Sequence, residues 1–224
     1  MLKSVFLALS QLLICGVACA ATATPLDSYL ENLKTLRASF LQTLADSHGK
    51  EIDRSTGTLV VVRPGKLRWE VNPQAASSAA AAAAPGAGSA PGGQLLVADG
   101  KNLWFLDRDL QQVTVKPADS VLSATPAMLL SGTVDVAKNF NITPAGKREG
   151  LEWVLVEPHG ADADFRRALF GFDHAELKRM ILEDKLGQTA TILFEKIERN
   201  GPVSPDEVSF TPPPGVDVIG KPRP

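Results

Sequence analysis

The stretch that most constrains the fold of this 224-residue chain is residues 57–71, with the sequence GTLVVVRPGKLRWEV. Two apolar runs meet there at a short Arg-Pro-Gly turn, and proline and glycine are residues that end strands and form turns. We therefore predict a strand over residues 58–62 that pairs with a second strand over residues 66–71 as a hairpin. Arg63 lies at the turn, where its side chain borders apolar surface.

Further strand-like runs follow along the chain, joined by short loops rich in Gly, Asp and Pro. Residues 97–107, VADGKNLWFLD, repeat the hairpin pattern around an Asp-Gly turn. This spacing predicts an antiparallel meander that forms a large curved sheet or an incomplete barrel. The other predicted strands cover residues 38–44, 95–98, 103–107, 112–115, 140–143, 151–157, 168–173, 177–183 and 189–197.

Two helices are predicted beside these strands. Thr24 followed by Pro25 is typical of an N-cap with proline at the first helical position, and leucines then recur at helical spacing as far as Leu36. The second helix is expected within residues 123–132, SATPAMLLSG, where another Thr-Pro pair precedes an apolar run. Each helix would therefore present an apolar face to the sheet.

The first 20 residues have the layout of a cleaved secretory signal peptide. Lys3 precedes an apolar stretch over residues 5–17, and Ala18-Cys19-Ala20 matches a cleavage site. No later stretch approaches the roughly 20 apolar residues that a membrane helix needs. We therefore expect an exported, soluble protein with a single domain over residues 21–224.

Cleavage there would remove both cysteines, Cys15 and Cys19, so the mature chain is expected to fold without disulfides. A lipidated Cys19 is the alternative, although Gly16 occupies a position at which a lipobox prefers leucine. Without Lys3, the chain keeps 22 of its 23 basic residues against 25 acidic ones, a net charge of −3. This charge argues against nucleic-acid binding.

The sequence offers no pattern for catalysis or for metal binding. His48, His159 and His174 lack the spacing of metal ligands, and the acidic residues around His174 lack the spacing of a calcium loop. A nucleophile elbow, a Walker loop and a dinucleotide fingerprint are also missing. We therefore expect neither an enzyme nor a cofactor-binding protein, and keep a periplasmic hydrolase of apolar substrates as an alternative.

Several predicted strands are apolar at consecutive positions, whereas an antiparallel sheet with one solvated face would alternate. These runs are residues 59–62, 103–106, 154–156 and 192–194. In one interpretation both faces belong to the core of a structural protein, and Arg63 is an ordinary turn residue. In the other, the concave face and the two helices enclose an apolar ligand cavity. Arg63 would then lie at the cavity edge and hydrogen-bond backbone carbonyls of the helical lid.

Five blocks of the sequence resemble the periplasmic outer-membrane lipoprotein carrier proteins, the LolA family. The order and spacing of the blocks extend the resemblance over nearly the whole mature chain. It implies a mainly β fold with some α structure, namely an unclosed antiparallel β-barrel (half-barrel) with a helical lid over a hydrophobic cavity. The blocks are ASFLQT at residues 38–43, residues 57–69 with Arg63-Pro64, DGKNLWF at 99–105, TPAMLL at 125–130 and FTPPPGV at 210–216.

The resemblance also implies a function and site residues. Proteins of this family are monomeric periplasmic chaperones that take the acyl chains of lipoproteins from an inner-membrane ABC transporter and deliver them to an outer-membrane receptor lipoprotein. Arg63 matches the arginine that latches the lid in the empty state. The positions expected to line or border the acyl-chain cavity are Leu30, Val60, Leu67, Trp69, Met128, Leu129, Leu130 and Met180.

The chain departs from the family pattern in three places. Residues 74–93 form an insertion rich in Ala, Gly and Pro that is expected to be a mobile loop. Leu67 occupies a position where an aromatic residue is common, and Ala127 replaces a larger apolar residue. An alternative role on the same fold is a periplasmic half-barrel that senses lipids or lipoproteins and regulates a membrane partner, although such proteins usually carry a second domain.

Overall fold

The computed structural model describes the parts of the chain that form the sheet and its covering segments. The described residues are 23–74, 93–118, 127–132, 136–160, 163 and 165–224. The expected signal peptide, residues 75–92 of the predicted insertion and the Thr125-Pro126 pair lie outside them. No helix in these ranges has the length and apolar character needed to cross a membrane.

Twelve strands and three short helices make up the described fold. The helices are α1 (Pro25–Glu31), α2 (Ala127–Ser131) and α3 (Val136–Asn139). The first six strands are β1 (Thr35–Ala45), β2 (Glu51–Val62), β3 (Lys66–Pro73), β4 (Gln94–Asp99), β5 (Asn102–Asp107) and β6 (Gln112–Pro117). The others are β7 (Phe140–Arg148), β8 (Leu151–Pro158), β9 (Phe165–Asp173), β10 (Glu176–Asp184), β11 (Thr189–Arg199) and β12 (Asp217–Ile219).

All twelve strands belong to one sheet, in the order β12-β6-β5-β4-β3-β2-β1-β11-β10-β9-β8-β7. Neighbouring strands pair antiparallel except β12, which runs parallel to β6. The pairing of β1 with β11 joins the two meanders, while β7 and β12 remain as separate edges. The predicted mainly β fold with an unclosed antiparallel sheet is therefore confirmed.

The helix α1 is defined by a capping box at its start. The backbone N–H of Asp27 donates to Thr24 Oγ1 at 3.3 Å, and the backbone N–H of Thr24 donates to Asp27 Oδ2 at 2.8 Å. Pro25 occupies the first turn, where its missing N–H costs no hydrogen bond. The predicted start of this helix is confirmed.

The predicted end of the helix is wrong, because α1 stops well before Leu36. Asn200, in the turn after β11, holds the following backbone extended: its Oδ1 accepts hydrogen bonds from the N–H groups of Lys34 and Thr35. Its Nδ2 donates to the carbonyl of Asn32 at 2.9 Å. Leu36 keeps its place in the core as a residue of β1 and is 1% exposed.

Buried apolar residues form two clusters on opposite faces of the sheet. The larger one includes residues of α1 and α2 and is called the concave cluster, and the smaller one on the other face is called the convex cluster. On β5, Leu103 belongs to the concave cluster, whereas Trp104 and Leu106 belong to the convex one. The convex cluster lies on β4, β5 and β6 and is covered by Phe210 and Val216 of the C-terminal segment. On β5 the lack of alternation therefore reflects apolar clusters on both faces, whereas on β11 Leu193, between the buried Ile192 and Phe194, is 37% exposed.

The C-terminal segment is fastened to the convex face by polar contacts. It begins with a short 3₁₀ helix, Pro205–Val208, in which the Glu207 carboxylate accepts two hydrogen bonds from Arg37 of β1, at 2.7 and 2.9 Å. Near the terminus, Asn102 donates to the Arg223 carbonyl and accepts from its N–H. Neither the 3₁₀ helix nor β12 is predicted by the sequence patterns.

Candidate functional site

The concave face of the sheet is covered by α1 and α2, which together are called the lid below. From α1, Leu26 and Leu30 are buried against the sheet. From α2, Met128, Leu129 and Leu130 are at most 1% exposed. The lid therefore occupies the apolar space that the curved sheet creates.

Most of the predicted cavity residues are brought together in this concave cluster. Trp69 packs against its edge through a ring contact with Phe40, with centroids 4.7 Å apart. The predicted residues that the cluster buries are Leu30, Leu67, Met128, Leu129, Leu130 and Met180. They come from two helices and two strands, so only the folded chain places them side by side.

Val60 does not belong to this group. The prediction that it lines or borders the cavity disagrees with the structure. On β2, the residues on either side of it, Leu59 and Val61, face the concave cluster. Successive side chains of a strand point to opposite faces, so Val60 faces the convex side. Its partner on β3 is Arg68, which in turn pairs with Val97 of the convex cluster.

A pocket of about 270 Å³ opens on the concave face beside the lid. Trp69, Leu96 and Phe105 follow one another in a single row across β3, β4 and β5 and form one wall. Residues of β1, β10 and β11 form the opposite wall. The lining residues are Gln42, Trp69, Val71, Gln94, Leu96, Phe105, Met180, Leu182, Ala190 and Ile192.

Among these lining residues, the family resemblance implies only Trp69 and Met180. The others lie on strands that were predicted correctly, but the register decides which side chains of a strand share a pocket. Gln42 and Gln94 are polar residues on strands. The register of the sheet places their side chains on the concave face. A residue-type pattern carries no information about such rows.

Arg63 lies in the hairpin turn between β2 and β3 and contacts both helices of the lid. Its Nη1 donates a hydrogen bond of 2.6 Å to the carbonyl of Leu30, in the last turn of α1. Its guanidinium also lies against the residue that follows α2, because a Cβ on Gly132 would stand 2.7 Å from Arg63 Nε. The side chain therefore closes the gap between the two helices.

Two backbone hydrogen bonds complete this junction. The N–H of Gly65 donates to the carbonyl of Ser131 at 2.8 Å, and the N–H of Arg63 donates to the carbonyl of Lys34 at 2.8 Å. Gly132 has φ of +71°, a conformation that L residues with a Cβ rarely adopt, so glycine suits this position in two ways. The hairpin turn is thus tied to the ends of α1 and α2.

The electrostatic setting of Arg63 differs from that of a buried ion pair. Burial lowers the pKa of its guanidinium, which remains protonated because the ordinary pKa of arginine is above 12. Within the described part of the chain, the ion pairs of 4.0 Å or less do not include Arg63. Its hydrogen-bond acceptor is a backbone carbonyl, and such a bond is weaker than one to a carboxylate.

The helix α1 has an additional anchor on the β11 side. The Arg199 guanidinium lies 4.4 Å from the centre of the Tyr29 ring, and Tyr29 also contacts Phe172 with ring centroids 5.5 Å apart. Burial raises the pKa of the Tyr29 hydroxyl, which stays protonated. Together with the Asn200 contacts, these interactions hold α1 to the sheet at points that do not involve Arg63.

Within the described ranges, no three His, Cys, Asp or Glu residues are grouped so that they could hold a metal ion. His48 is exposed in the turn after β1, and His159 is exposed in the bend after β8. His174 is also exposed and contacts Asp173. Asp162 and Asp164 of the acidic stretch lie outside the described residues.

Comparison with known proteins places this concave site in a family. The family model "Outer membrane lipoprotein carrier protein LolA" matches residues 31–78 and 87–211. The chain belongs to the LolA family. The resemblance found in the five sequence blocks is thereby confirmed, and the family match includes the Arg63 turn, α2 and strands β1 to β11.

Relatives named outer-membrane lipoprotein carrier protein cover most of this LolA-family chain. The relative from Dechloromonas aromatica is 39% identical over 92% of this chain and 90% of its own length. The relative from Nitrosospira multiformis is 36% identical over 88% and 87%, and that from Methylococcus capsulatus is 34% identical over 96% and 96%. The likeness therefore extends along nearly the full length of both partners in each comparison.

Proposed function

We propose that this chain is a monomeric periplasmic carrier that binds the acyl chains of lipoproteins. In this role it receives lipoproteins from an inner-membrane ABC transporter and delivers them to an outer-membrane receptor lipoprotein. It binds and transfers its ligand without changing a covalent bond. The observation that carries the proposal is the apolar concave face beneath a lid that Arg63 ties shut through the Leu30 carbonyl.

The chemistry of the concave face suits a hydrocarbon ligand. Burial of apolar surface contributes about 0.8 kcal/mol per CH₂ group, so an acyl chain of about 15 methylenes contributes on the order of 12 kcal/mol. No charged residue is found among the described residues that line the pocket. The site therefore gains its affinity from the tails of a lipoprotein and leaves the protein part of the ligand free.

The size of the pocket supports a lid that moves when the ligand binds. Its volume of about 270 Å³ is below the roughly 300–1,000 Å³ typical of pockets that enclose small molecules. The side chains of Met128, Leu129 and Leu130 occupy the adjoining apolar space. Long acyl chains enter when α2 leaves that space, and the cost of exposing its apolar residues is offset by burial of the ligand.

Arg63 makes the replacement of α2 by acyl chains reversible. Its hydrogen bond to a backbone carbonyl favours the closed state, so ligand binding has to supply the free energy of opening. A carrier with no such opposing cost would hold acyl chains too strongly to release them. The closing force of the lid thus drives delivery to the receptor.

The proposal is tested by a release assay with inner-membrane vesicles that contain radiolabelled lipoproteins and the cognate ABC transporter. Purified protein is added with ATP, the vesicles are removed by centrifugation, and label bound to the protein in the supernatant is counted. We expect soluble complexes that require both ATP and the protein. Retention of all label in the membrane, with a folded carrier and an active transporter, would contradict the proposed function.

A further inference from the structure

The lining of the concave pocket is mostly apolar but includes two polar side chains, one on each wall. Gln42 on β1 and Gln94 on β4 are its two polar residues, and the other eight are apolar. Gln42 is half-buried and Gln94 is exposed. Neither side-chain amide forms a hydrogen bond within the described ranges, so both keep their donors available.

A third polar group lies next to Gln42 and is deeply buried. Ser55 of β2 pairs directly with Gln42 in the register of the sheet and is 2% exposed. It lies on the same face of β2 as Leu59 of the concave cluster, because the two positions are separated by an even number of residues. Its hydroxyl has no hydrogen-bond partner among the described residues. A buried polar group without a partner is uncommon and calls for an explanation.

These polar groups stand far from the Arg63 junction. Thr35, at the start of β1, pairs with Val62 next to Arg63, whereas Gln42 lies near the other end of β1. At roughly 3.3 Å per residue along a strand, the two ends are about 20 Å apart. The neutral hydrogen-bond donors of the concave face thus lie away from the Arg63 junction, among apolar residues of the pocket.

We propose that Gln42, Gln94 and Ser55 form a subsite for the ester and amide carbonyls that join acyl chains to the modified N-terminus of a lipoprotein. This inference rests on the proposed carrier function. The tails then extend from this subsite toward the space that α2 vacates. The subsite fixes the depth at which the lipid is bound, and it keeps the protein part of the cargo at the open end.

The chemistry of the three side chains matches these linkages. An ester carbonyl only accepts hydrogen bonds, while each glutamine amide supplies two N–H donors and the serine supplies one O–H donor. An acyl amide adds one N–H, for which the glutamine carbonyl oxygens are acceptors. Neutral donors bind a neutral ligand without burying an unpaired charge, and no cation in the pocket lining is available for the phosphate of a phospholipid.

The experiment compares two ligands that differ only in their carbonyl groups. These are 1,2-dioctanoylglycerol, a diester, and 1,2-di-O-octylglycerol, the matching diether. Their dissociation constants are measured by displacement of a fluorescent apolar probe from the purified protein. The wild-type protein should prefer the diester by roughly two- to tenfold for each hydrogen bond formed.

Three variants locate the source of this preference. The double substitution Gln42→Met with Gln94→Met keeps side-chain length and removes the amides, so the preference should disappear while the affinity for the diether is retained. Ser55→Ala should remove part of the preference. Gln188→Met, in the β10–β11 turn and outside the pocket lining, is the matched control and should leave the preference unchanged.

The outcomes separate this inference from the carrier function. Equal affinity of the wild-type protein for the two ligands would overturn the subsite while leaving the acyl cavity in place. A double variant that keeps the full preference for the diester would also overturn the subsite. Failure of the wild-type protein to bind either ligand would contradict the carrier function and the subsite together.

Discussion

The convex and concave faces of the sheet are both covered by apolar segments, but the two covers are fastened differently. On the convex side, the ring of Phe210 packs against Trp104 with centroids 5.5 Å apart. The same segment is tied down by hydrogen bonds of Asn102 to Arg223, by Lys101 to the carbonyl of Pro224 and by the pairing of β12 with β6.

On the concave side, α2 lies on an equally apolar surface with fewer polar ties to the sheet among the described residues. Gly65 donates one backbone hydrogen bond to Ser131, and the Arg63 guanidinium lies against Gly132. The other lid helix, α1, has the Asn200 and Arg199 contacts in addition. Apolar burial therefore decides where each cover lies, and polar contacts distinguish the firmly tied convex cover from the lid that we propose to open.

The largest effect is expected from Trp104→Ala on the convex face. The substitution removes a side chain that is 7% exposed together with its Nε1 hydrogen bond to Asp99, so the free energy of unfolding should fall by about 3–5 kcal/mol. Urea denaturation measures this loss. Phe105→Ala is the control, because the neighbouring ring lines the pocket and is 36% exposed. A larger loss for Phe105→Ala would show that the convex cover is not the firmly packed one.

Gly132→Ala is expected to have a smaller effect on stability and a specific effect on the lid. The positive φ of Gly132 costs alanine roughly 1–2 kcal/mol, and the new Cβ would displace the Arg63 guanidinium. Binding of a fluorescent apolar probe should therefore increase. Gly146→Ala is a matched control, since Gly146 has φ of +77° and nothing within 4 Å of the added Cβ. Equal probe binding by the two variants would separate Gly132 from the latch.

Asp99→Asn is expected to have the smallest effect, and one that depends on pH. Burial opposes ionisation of Asp99, but hydrogen bonds from Trp104 Nε1 and the N–H groups of Asn102 and Lys101 outweigh it and lower the pKa of the carboxyl. An aspartate with a lowered folded pKa stabilises the fold above its unfolded pKa of about 4, and this contribution is lost as the pH falls through the folded pKa.

The variant should therefore lose about 1 kcal/mol at neutral pH, and its difference from the wild-type protein should shrink in acid. Denaturant titrations at pH 7 and at successively lower pH values measure the difference. Probe binding at the concave face should stay unchanged at neutral pH, because Asp99 serves the convex side. A stability difference that grows as the pH falls would contradict this role.

Much of the sheet could be predicted from sequence, because turns rich in Gly, Asp and Pro separate its apolar strands. The first seven residues of β2, from Glu51 to Gly57, were missed since they are largely polar and become extended through pairing with β1. The strand β12 was missed because three residues in a proline-rich tail carry no periodic signal. In these segments, contacts distant in sequence decide the conformation.

The candidate site shows the same limit. Arg63 could be placed at the edge of an apolar surface, since a turn between two apolar strands has few other positions. The error at Val60 arose because residue type does not reveal the face of a strand that is apolar on both sides. Gln42, Gln94 and Ser55 were not indicated, because the register of β1 and β2 places Gln42 beside Ser55 and only the folded sheet brings Gln42 and Gln94 to one pocket.

The latch role of Arg63 is decided by the transfer of a labelled lipoprotein from inner-membrane vesicles to the outer-membrane receptor by the Arg63→Leu variant. The substitution removes the donor to the Leu30 carbonyl and keeps an apolar side chain at the turn. Arg68→Leu, at an arginine of the same hairpin that pairs with Glu70, is the matched control. We predict that Arg63→Leu takes up lipoprotein and fails to deliver it, while Arg68→Leu delivers it. Normal delivery by Arg63→Leu would contradict the conclusion that this side chain closes the lid and drives release.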